Sequence, residues 1–329
     1  MSKKVLITGA TGFVGYHLIE KALAAGLEVF AAVRKSSDVS HLKAFNITYV
    51  DLDYSSVDIL KTQLEANQYN YIIHAAGITK AKTADDYNKV NAGYAKNLAL
   101  AAVVATIPLD KFVFVSSLAA LGPRKDLNGV IEDDSEGHPV TSYGSSKLIA
   151  EQYLKEIKGL PLVVIRPTAV YGPREKDIFI LFKSINQGIE PYIGSFKQQL
   201  TFVYVKDLAD VIISALNSKV SGRSYNVTDG HVYDRYSLGK FARKALDKKT
   251  FKFHLPIFIV SAMASIMDIL YTNSKETPTL NREKMAELTA VNWACNIDHA
   301  LKDLDYRPAF DLESGLNETM EWYKTNKWL

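Results

Sequence analysis

Tyr143 and Lys147 stand four residues apart in the segment SYGSSKLIAEQYL. On a helix that spacing puts both side chains on one face, one turn apart. A free tyrosine titrates at about pH 10 and is a poor acid or base at neutrality. A nearby positive charge lowers it, and Tyr143 then suits general acid/base work on a carbonyl–alcohol pair. Taken alone, Tyr-x-x-x-Lys is a common pattern. Ser117 adds to it, because it follows the apolar run FVFV at the end of an expected strand. Its hydroxyl can hold a substrate oxygen and stabilise charge there. Ser116 is a neighbour in a supporting role, and Asn91 can fix a helix or a water near the lysine. The bland reading of each polar residue is a cap or a turn. Their joint placement around one sheet edge gives the chemical reading its weight.

Gly9, Gly12 and Gly15 follow a short apolar strand and open a helix. Glycine permits a tight turn and lets backbone approach a pyrophosphate closely. The helix start then offers free N–H groups and a positive dipole end to the phosphates. The alternative is a tight strand–helix turn, but this context points to a dinucleotide, with Thr11, Phe13 and Val14 in the same loop. The end of the second strand selects the cofactor. An acidic residue there would hold the ribose hydroxyls of NAD. Val33 occupies that position, and Arg34 and Lys35 follow it. Two cations suit a 2′-phosphate, so NADP(H) is expected before NAD. The alternative is a pair of solvated surface charges. Asp51, with Leu52 beside it, is placed to meet the adenine amine, or is an ordinary loop carboxylate. The positive charge of an oxidised nicotinamide would join Lys147 in lowering the tyrosine pKa.

These residues need a scaffold, and the pattern supplies one. Residues 5–8, 27–33, 47–50, 71–74, 111–116 and 162–165 read as strands. Helical patterns follow Gly15 and cover residues 90–106 and 142–158. The strands are continuous apolar runs rather than alternating ones, which means burial on both faces. The fold expected is α/β: a Rossmann-type doubly wound parallel sheet. Near Tyr171 the rhythm becomes irregular. Residues 200–216 return to strand and then helix, and residues 224–227 form another strand. We read residues 1–170 as the dinucleotide-binding domain, with a return segment at 200–227. Residues 171–329 form a smaller, mostly helical substrate-binding region. Within it, LPIFIVSAMASIM either lines an apolar pocket or is an ordinary buried helix.

Composition narrows the function class. The 329 residues are 47% apolar and 23% charged, ordinary for a globular protein. Lys plus Arg number 39 against 36 acidic residues, a net charge of +3 without a basic run, which disfavours nucleic acid as a partner. Cys295 is the only cysteine, so neither an intramolecular disulfide nor a Cys-rich metal site is possible. The histidines show no metal-ligand spacing, and no metal is expected. The longest apolar stretch of the C-terminal third, residues 255–267, is shorter than the roughly 20 residues a membrane span needs. With no signal peptide pattern before the first strand, a cytoplasmic protein acting on a small molecule is the expectation.

Six motifs in order carry a family resemblance: TGATGFVG, HAAG, SSLAALG, YGSSK, RPTAVYGP and YVKDLA. Together they resemble the extended short-chain dehydrogenase/reductase family, also called the NAD-dependent epimerase/dehydratase family. The resemblance implies that Ser117, Tyr143 and Lys147 form the catalytic set. It also implies that Ala75, Ala76 and Gly77 line the cofactor, that Pro167 and Val170 lie on its nicotinamide side, and that the chain forms a homodimer. Sugar-nucleotide dehydratases carry an acidic pair after the catalytic hydroxyl; Leu118, Ala119 and Ala120 stand here. Sugar-nucleotide epimerases commonly carry Asn where this chain has Ala169, and Arg where it has Leu200. The segments are closer in look to the dihydroflavonol reductase and 3β-hydroxysteroid dehydrogenase branches. The function expected is an NAD(P)-dependent oxidoreductase interconverting a ketone and a secondary alcohol on an apolar ring substrate. The alternatives are a sugar-nucleotide epimerase with the same triad and a non-catalytic NADPH-sensing protein.

Overall fold

The computed structural model describes residues 2–271 and 281–329. In chain order its strands are β1 (Lys4–Thr8), β2 (Glu28–Ala32), β3 (Thr48–Val50), β4 (Tyr71–His74), β5 (Lys111–Val115), β6 (Leu162–Pro167), β7 (Ala169–Tyr171), β8 (Ile189–Ile193), β9 (Phe202–Tyr204), β10 (Arg223–Val227) and β11 (Phe251–Leu255). Seven of them form one sheet in the order β10-β6-β5-β4-β1-β2-β3. Every neighbouring pair in it is parallel. The order reverses between β1 and β4, and ligands bind open α/β sheets at such a switch point, outside the carboxyl ends of the strands.

The inner strands are mostly apolar because both sheet faces are covered. Val5 and Ile7 of β1 enter one core, with Leu18, Ile19, Leu208 and Ile212 from the helices Phe13–Ala24 and Val205–Asn217. Leu6, between them, points to the other core, with Leu60, Leu98 and Leu154 from the helices Val57–Asn67, Tyr94–Val104 and Ser142–Glu156. Each such buried side chain contributes about 1.5–3 kcal/mol relative to exposure. A third core gathers Tyr171, Phe182, Tyr204, Leu316 and Tyr323 around the last helix, Leu312–Thr325. Beside it lie two small parallel pairs, β7 with β9 and β8 with β11.

Besides the helix Phe179–Asn186 and the short strands β7, β8 and β11, three features differ from the sequence reading. The helix Val57–Asn67 was not anticipated; Ser56 caps it by accepting the Ile59 N–H at 3.4 Å. The helical stretch at 90–106 begins earlier, as a π-helical turn at Asn88–Gly93 that runs into Tyr94–Val104. The apolar segment near residue 260 splits at Pro256 into the end of β11 and the helix Ile257–Leu270. That helix is not an ordinary buried one, because it buries only Val260 and Ala264.

Candidate active site

The glycine loop joins β1 to the helix Phe13–Ala24. Gly9 has φ +70°, and a Cβ on it would lie 2.7 Å from the Ala75 carbonyl. A Cβ on Gly15 would lie 2.1 Å from the Gly9 oxygen, so the loop closes against the helix only with glycine at both places. The Gly12 N–H donates to the Gly9 carbonyl at 2.9 Å. Gly12 also begins the helix, and no side chain caps it. The first-turn N–H groups beside Thr11, Phe13 and Val14 are thus left for an outside acceptor.

The ends of β1 and β4 are locked together beside this loop. The Thr8 hydroxyl lies 2.8 Å from His74 Nδ1 and accepts the Ala76 N–H at 3.1 Å. Burial holds His74 down at about 3, so it stays neutral at physiological pH. This bond fixes the turn that carries Ala75, Ala76 and Gly77. Asn91, fully buried on the π-helical turn, accepts the Ile78 N–H at 2.8 Å and donates to the Ile78 carbonyl at 3.0 Å and to Ser146 at 2.9 Å. A π-turn shifts side chains off the α register, which lets Asn91 reach both the loop and the next helix.

Ser117, Tyr143 and Lys147 come together at the carboxyl end of β5. Ser117 begins the short turn Leu118–Ala120, and its hydroxyl accepts the Ala119 N–H at 3.2 Å. Burial pushes the Tyr143 hydroxyl up to about 12, and a hydrogen bond with Ser117 opposes that rise. Burial lowers Lys147 to about 8. Its Nζ donates to the Val115 carbonyl at 2.9 Å and lies 6.0 Å from the Tyr143 ring centre. The expected lowering of Tyr143 by this ammonium is therefore corrected for the protein alone. Lys147 sits back against Val115 and the Phe114 ring, and burial dominates the tyrosine. A Cβ on Gly77 would meet Asn91 Oδ1 at 3.0 Å and Lys147 Nζ at 3.3 Å, so the glycine turn borders both.

Ser116 lies behind Ser117. Its hydroxyl donates to Glu151 at 2.6 Å, inside the protein, and so supports the site rather than facing a ligand. Glu151 takes two further bonds from Arg166, whose Nη1 reaches the Asp133 carbonyl at 2.7 Å. Sequence reasoning missed Glu151. The one available signal was its position four residues after Lys147 on the same helix face. Glu283 was missed too; it accepts the Ser142 N–H at 3.1 Å and the Ser142 hydroxyl, bracing the helix start next to Tyr143. Nothing local in the sequence links residues so far apart.

Arg34 and Lys35 follow β2, exposed and without an ion pair among the described residues. Asp51 follows β3, exposed, and Leu52 packs into the core beneath it. Pro167 ends β6, Val170 lies in β7, and between them the Thr168 hydroxyl is buried without a partner.

This donor set fits a dinucleotide. It has an uncapped helix start and two unpaired cations where the adenosine end would lie. It also has a lysine ammonium with three donors, one of them held by Val115, and an orphaned hydroxyl at Thr168. Cys295 is half-buried and, with Trp293, packs against the small cluster of Leu118, Leu121 and Ile131. No group of three potential metal ligands occurs among the described residues.

A family model described as the NAD dependent epimerase/dehydratase family matches residues 5–228. Over 336 residues the chain is 26% identical to UDP-glucose 4-epimerase of Vibrio cholerae, covering 98% of this chain and 95% of that relative. It is 25% identical to ceramide reductase of Caulobacter vibrioides over 328 residues, 99% of this chain and 96% of the other. Among solved structures, UDP-glucuronic acid 4-epimerase from Bacillus cereus in complex with NAD gives a TM-score of 0.76 at 22% identity. That match covers 98% of this chain and 99% of the other, and it shows the shared fold.

Proposed function

This chain belongs to the NAD dependent epimerase/dehydratase family, and on that premise we propose that it is an NADP(H)-linked oxidoreductase interconverting a ketone and a secondary alcohol. Its substrate is apolar and carries the reacting group on a ring. The observation that carries this reading is the convergence of Ser117, Tyr143 and Lys147 at the carboxyl end of β5, with Lys147 one turn along the helix from Tyr143 and apolar Leu118 to Ala120 following Ser117.

Bound NADP(H) supplies or accepts the hydride at the reacting carbon. The protein does the rest. Ser117 holds the substrate oxygen, and Tyr143 gives it a proton in the reducing direction and takes one in the other. Lys147 holds the ribose hydroxyls with the donors that Val115 leaves free. Arg34 and Lys35 take the 2′-phosphate, and the helix start at Gly12 takes the pyrophosphate. Asn91 keeps the Ile78 turn and the helix Ser142–Glu156 in register. Residues 1–170 and the return segment 200–227 hold the cofactor, and residues 171–329 shape the substrate side.

The surroundings of Leu200 support an apolar substrate. The Leu200 backbone is bonded in both directions to Tyr233 at 2.8 Å, and its side chain packs into the third core. It offers no charge to a diphosphate, and a buried diphosphate needs cations and donors. A relative that carries the name ceramide reductase supports the same reading. A second reading, sugar-nucleotide epimerisation with the same triad, rests on the similarity to a UDP-glucose 4-epimerase. Incubation with NADPH and a panel of ring ketones, beside one of UDP-hexoses, separates them. Net consumption of NADPH with an apolar ketone is expected. Interconversion of UDP-hexoses without net cofactor consumption overturns the proposal in favour of the epimerase.

A further inference from the structure

The helix Ile257–Leu270 is apolar on both sides. Its inner arc packs Val260 and Ala264 against Met285, Ile193 and Leu255. At 100° per residue its outer arc carries Phe258, Ile259, Met263, Ile266, Ile269 and Leu270. These are exposed by 73, 40, 51, 55, 69 and 69%. The polar residues lie along the boundary instead. The Ser261 carbonyl and the Arg282 Nε–H both bond Ser265, at 2.9 and 3.1 Å, and Asp268 accepts the Arg282 N–H at 3.3 Å. A helix with apolar arcs on opposite sides has two surfaces to cover, and its own fold covers only the inner one.

The apolar surface continues onto the adjoining pair of strands. The register pairs Ile189 with Phe251, Pro191 with Phe253 and Ile193 with Leu255. Alternation places these six on one face of the pair. The helix covers the Ile193–Leu255 end. At the other end Ile189 is 45% and Phe251 74% exposed. Patches of this extent on monomers mark interaction sites.

The rim is cationic. Between Lys240 and Lys252 six side chains are Lys or Arg and one, Asp247, is acidic. Arg243 is paired with Glu190 and Lys244 with Glu313. Lys248 and Lys249 are exposed and have no ion pair among the described residues, and Lys252 is exposed over the Tyr236 ring.

We propose that this surface seats the protein on an anionic lipid bilayer, with the outer arc in the acyl boundary and the lysines at the headgroups. The inference goes beyond the functional reading above and does not depend on it. Hydrocarbon satisfies the outer arc, and anionic headgroups satisfy the lysines. A second copy would cover the outer arc, but its equally cationic rim brings no excess of negative charge to these lysines. The helix lies on the bilayer rather than across it. Its 14 residues span about 21 Å, short of the roughly 30 Å hydrocarbon core. No helix among the described residues is long and apolar enough to cross. The seat also adjoins the catalytic helix. Met285, under Val260 and Ala264, belongs to the helix Arg282–Thr289, whose Glu283 holds Ser142 beside Tyr143.

The test is flotation of the full chain with phosphatidylcholine vesicles and with vesicles containing phosphatidylglycerol, alongside sedimentation equilibrium. Wild type should float with the anionic vesicles and be released by high salt. Phe258→Glu with Ile266→Glu should lose flotation while keeping melting temperature and NADPH affinity. Leu270→Glu, at the end of the helix, gives the same readout should the double variant not fold. Lys248→Glu with Lys249→Glu and Lys252→Glu should lose the anionic preference. Failure of wild type to float, or equal flotation with neutral vesicles, overturns the proposal. So does undiminished flotation of the Glu variants. A dimer that Phe258→Glu dissociates, without vesicle binding, assigns the surface to a second copy.

Discussion

Glu151 receives both hydrogen bonds of the Arg166 fork, at 2.9 and 2.6 Å, one helical turn beyond Lys147. The same carboxylate takes the Ser116 hydroxyl, so one buried pair ties β5, β6 and the helix Ser142–Glu156 together behind Ser117. Breaking a buried pair strands a charge and typically costs about 3–5 kcal/mol. Glu151→Ala should therefore destabilise the fold by about that amount in urea unfolding. Glu151→Met with Arg166→Met removes both charges and should recover most of the loss. Equal destabilisation by the single and double variants would show that the pair is not the source.

Lys147 gives the cofactor-free protein a signed pH dependence. Burial lowers its pKa from 10.5 to about 8. Below pH 8 both folded and unfolded chains carry the proton, and the full cost of the buried charge is present. Between about 8 and 10.5 the unfolded chain binds more protons, so stability rises with pH across that window. The shift corresponds to about 3 kcal/mol. Tyr143 acts in the opposite sense only above pH 10, because its pKa is raised to about 12. Lys147→Met should be the more stable protein at pH 7 without cofactor, with the gap closing toward pH 10. Parallel curves for the two proteins would refute the assignment.

The central sheet was legible because strands buried on both faces must be apolar without interruption, as in FVFV at β5. Ser117, Tyr143 and Lys147 could be named because helical spacing and a strand end are local properties. The Glu151–Arg166 pair was not legible, since its partners lie on different elements and meet only when β6 docks. The π-turn carrying Asn91 was hidden for a related reason. Residues 88–93 have ordinary helical composition, and only the bonds to Ile78 and Ser146 reveal the shifted register. The helix Ile257–Leu270 misled because apolar composition cannot distinguish a core from an outward apolar face.

Arg34 and Lys35 should decide between the two nicotinamide cofactors. Neither is committed to a carboxylate among the described residues, and both follow β2 at the expected adenosine end. A hydrogen bond to a charged group contributes about 1.5–3 kcal/mol, equivalent to about 10- to 100-fold in affinity. Arg34→Ala with Lys35→Ala should weaken NADPH binding by at least that range and leave NADH binding unchanged. Fluorescence titration reads both. Equal losses for the two cofactors would mean that the substitutions disturbed the loop rather than a phosphate contact.

Tyr143 carries the sharpest prediction, because burial and chemistry pull its hydroxyl in opposite directions. In the protein alone burial holds it near 12, so it is a proton donor well above neutral pH. A general acid of this kind contributes about 10²- to 10⁴-fold to turnover. Tyr143→Phe keeps the ring, its edge contact with Tyr87 and the packing of the helix start, and removes only the hydroxyl. NADPH affinity should hold while ketone reduction falls by about two to four orders of magnitude. Ser117→Ala should cost about 10²- to 10³-fold, by losing one donor to the substrate oxygen. The two losses should not multiply in the double variant, because Ser117 and Tyr143 are neighbours that act on the same oxygen. Full multiplication would place them on different atoms, and a phenylalanine variant with wild-type turnover would remove Tyr143 from the reaction.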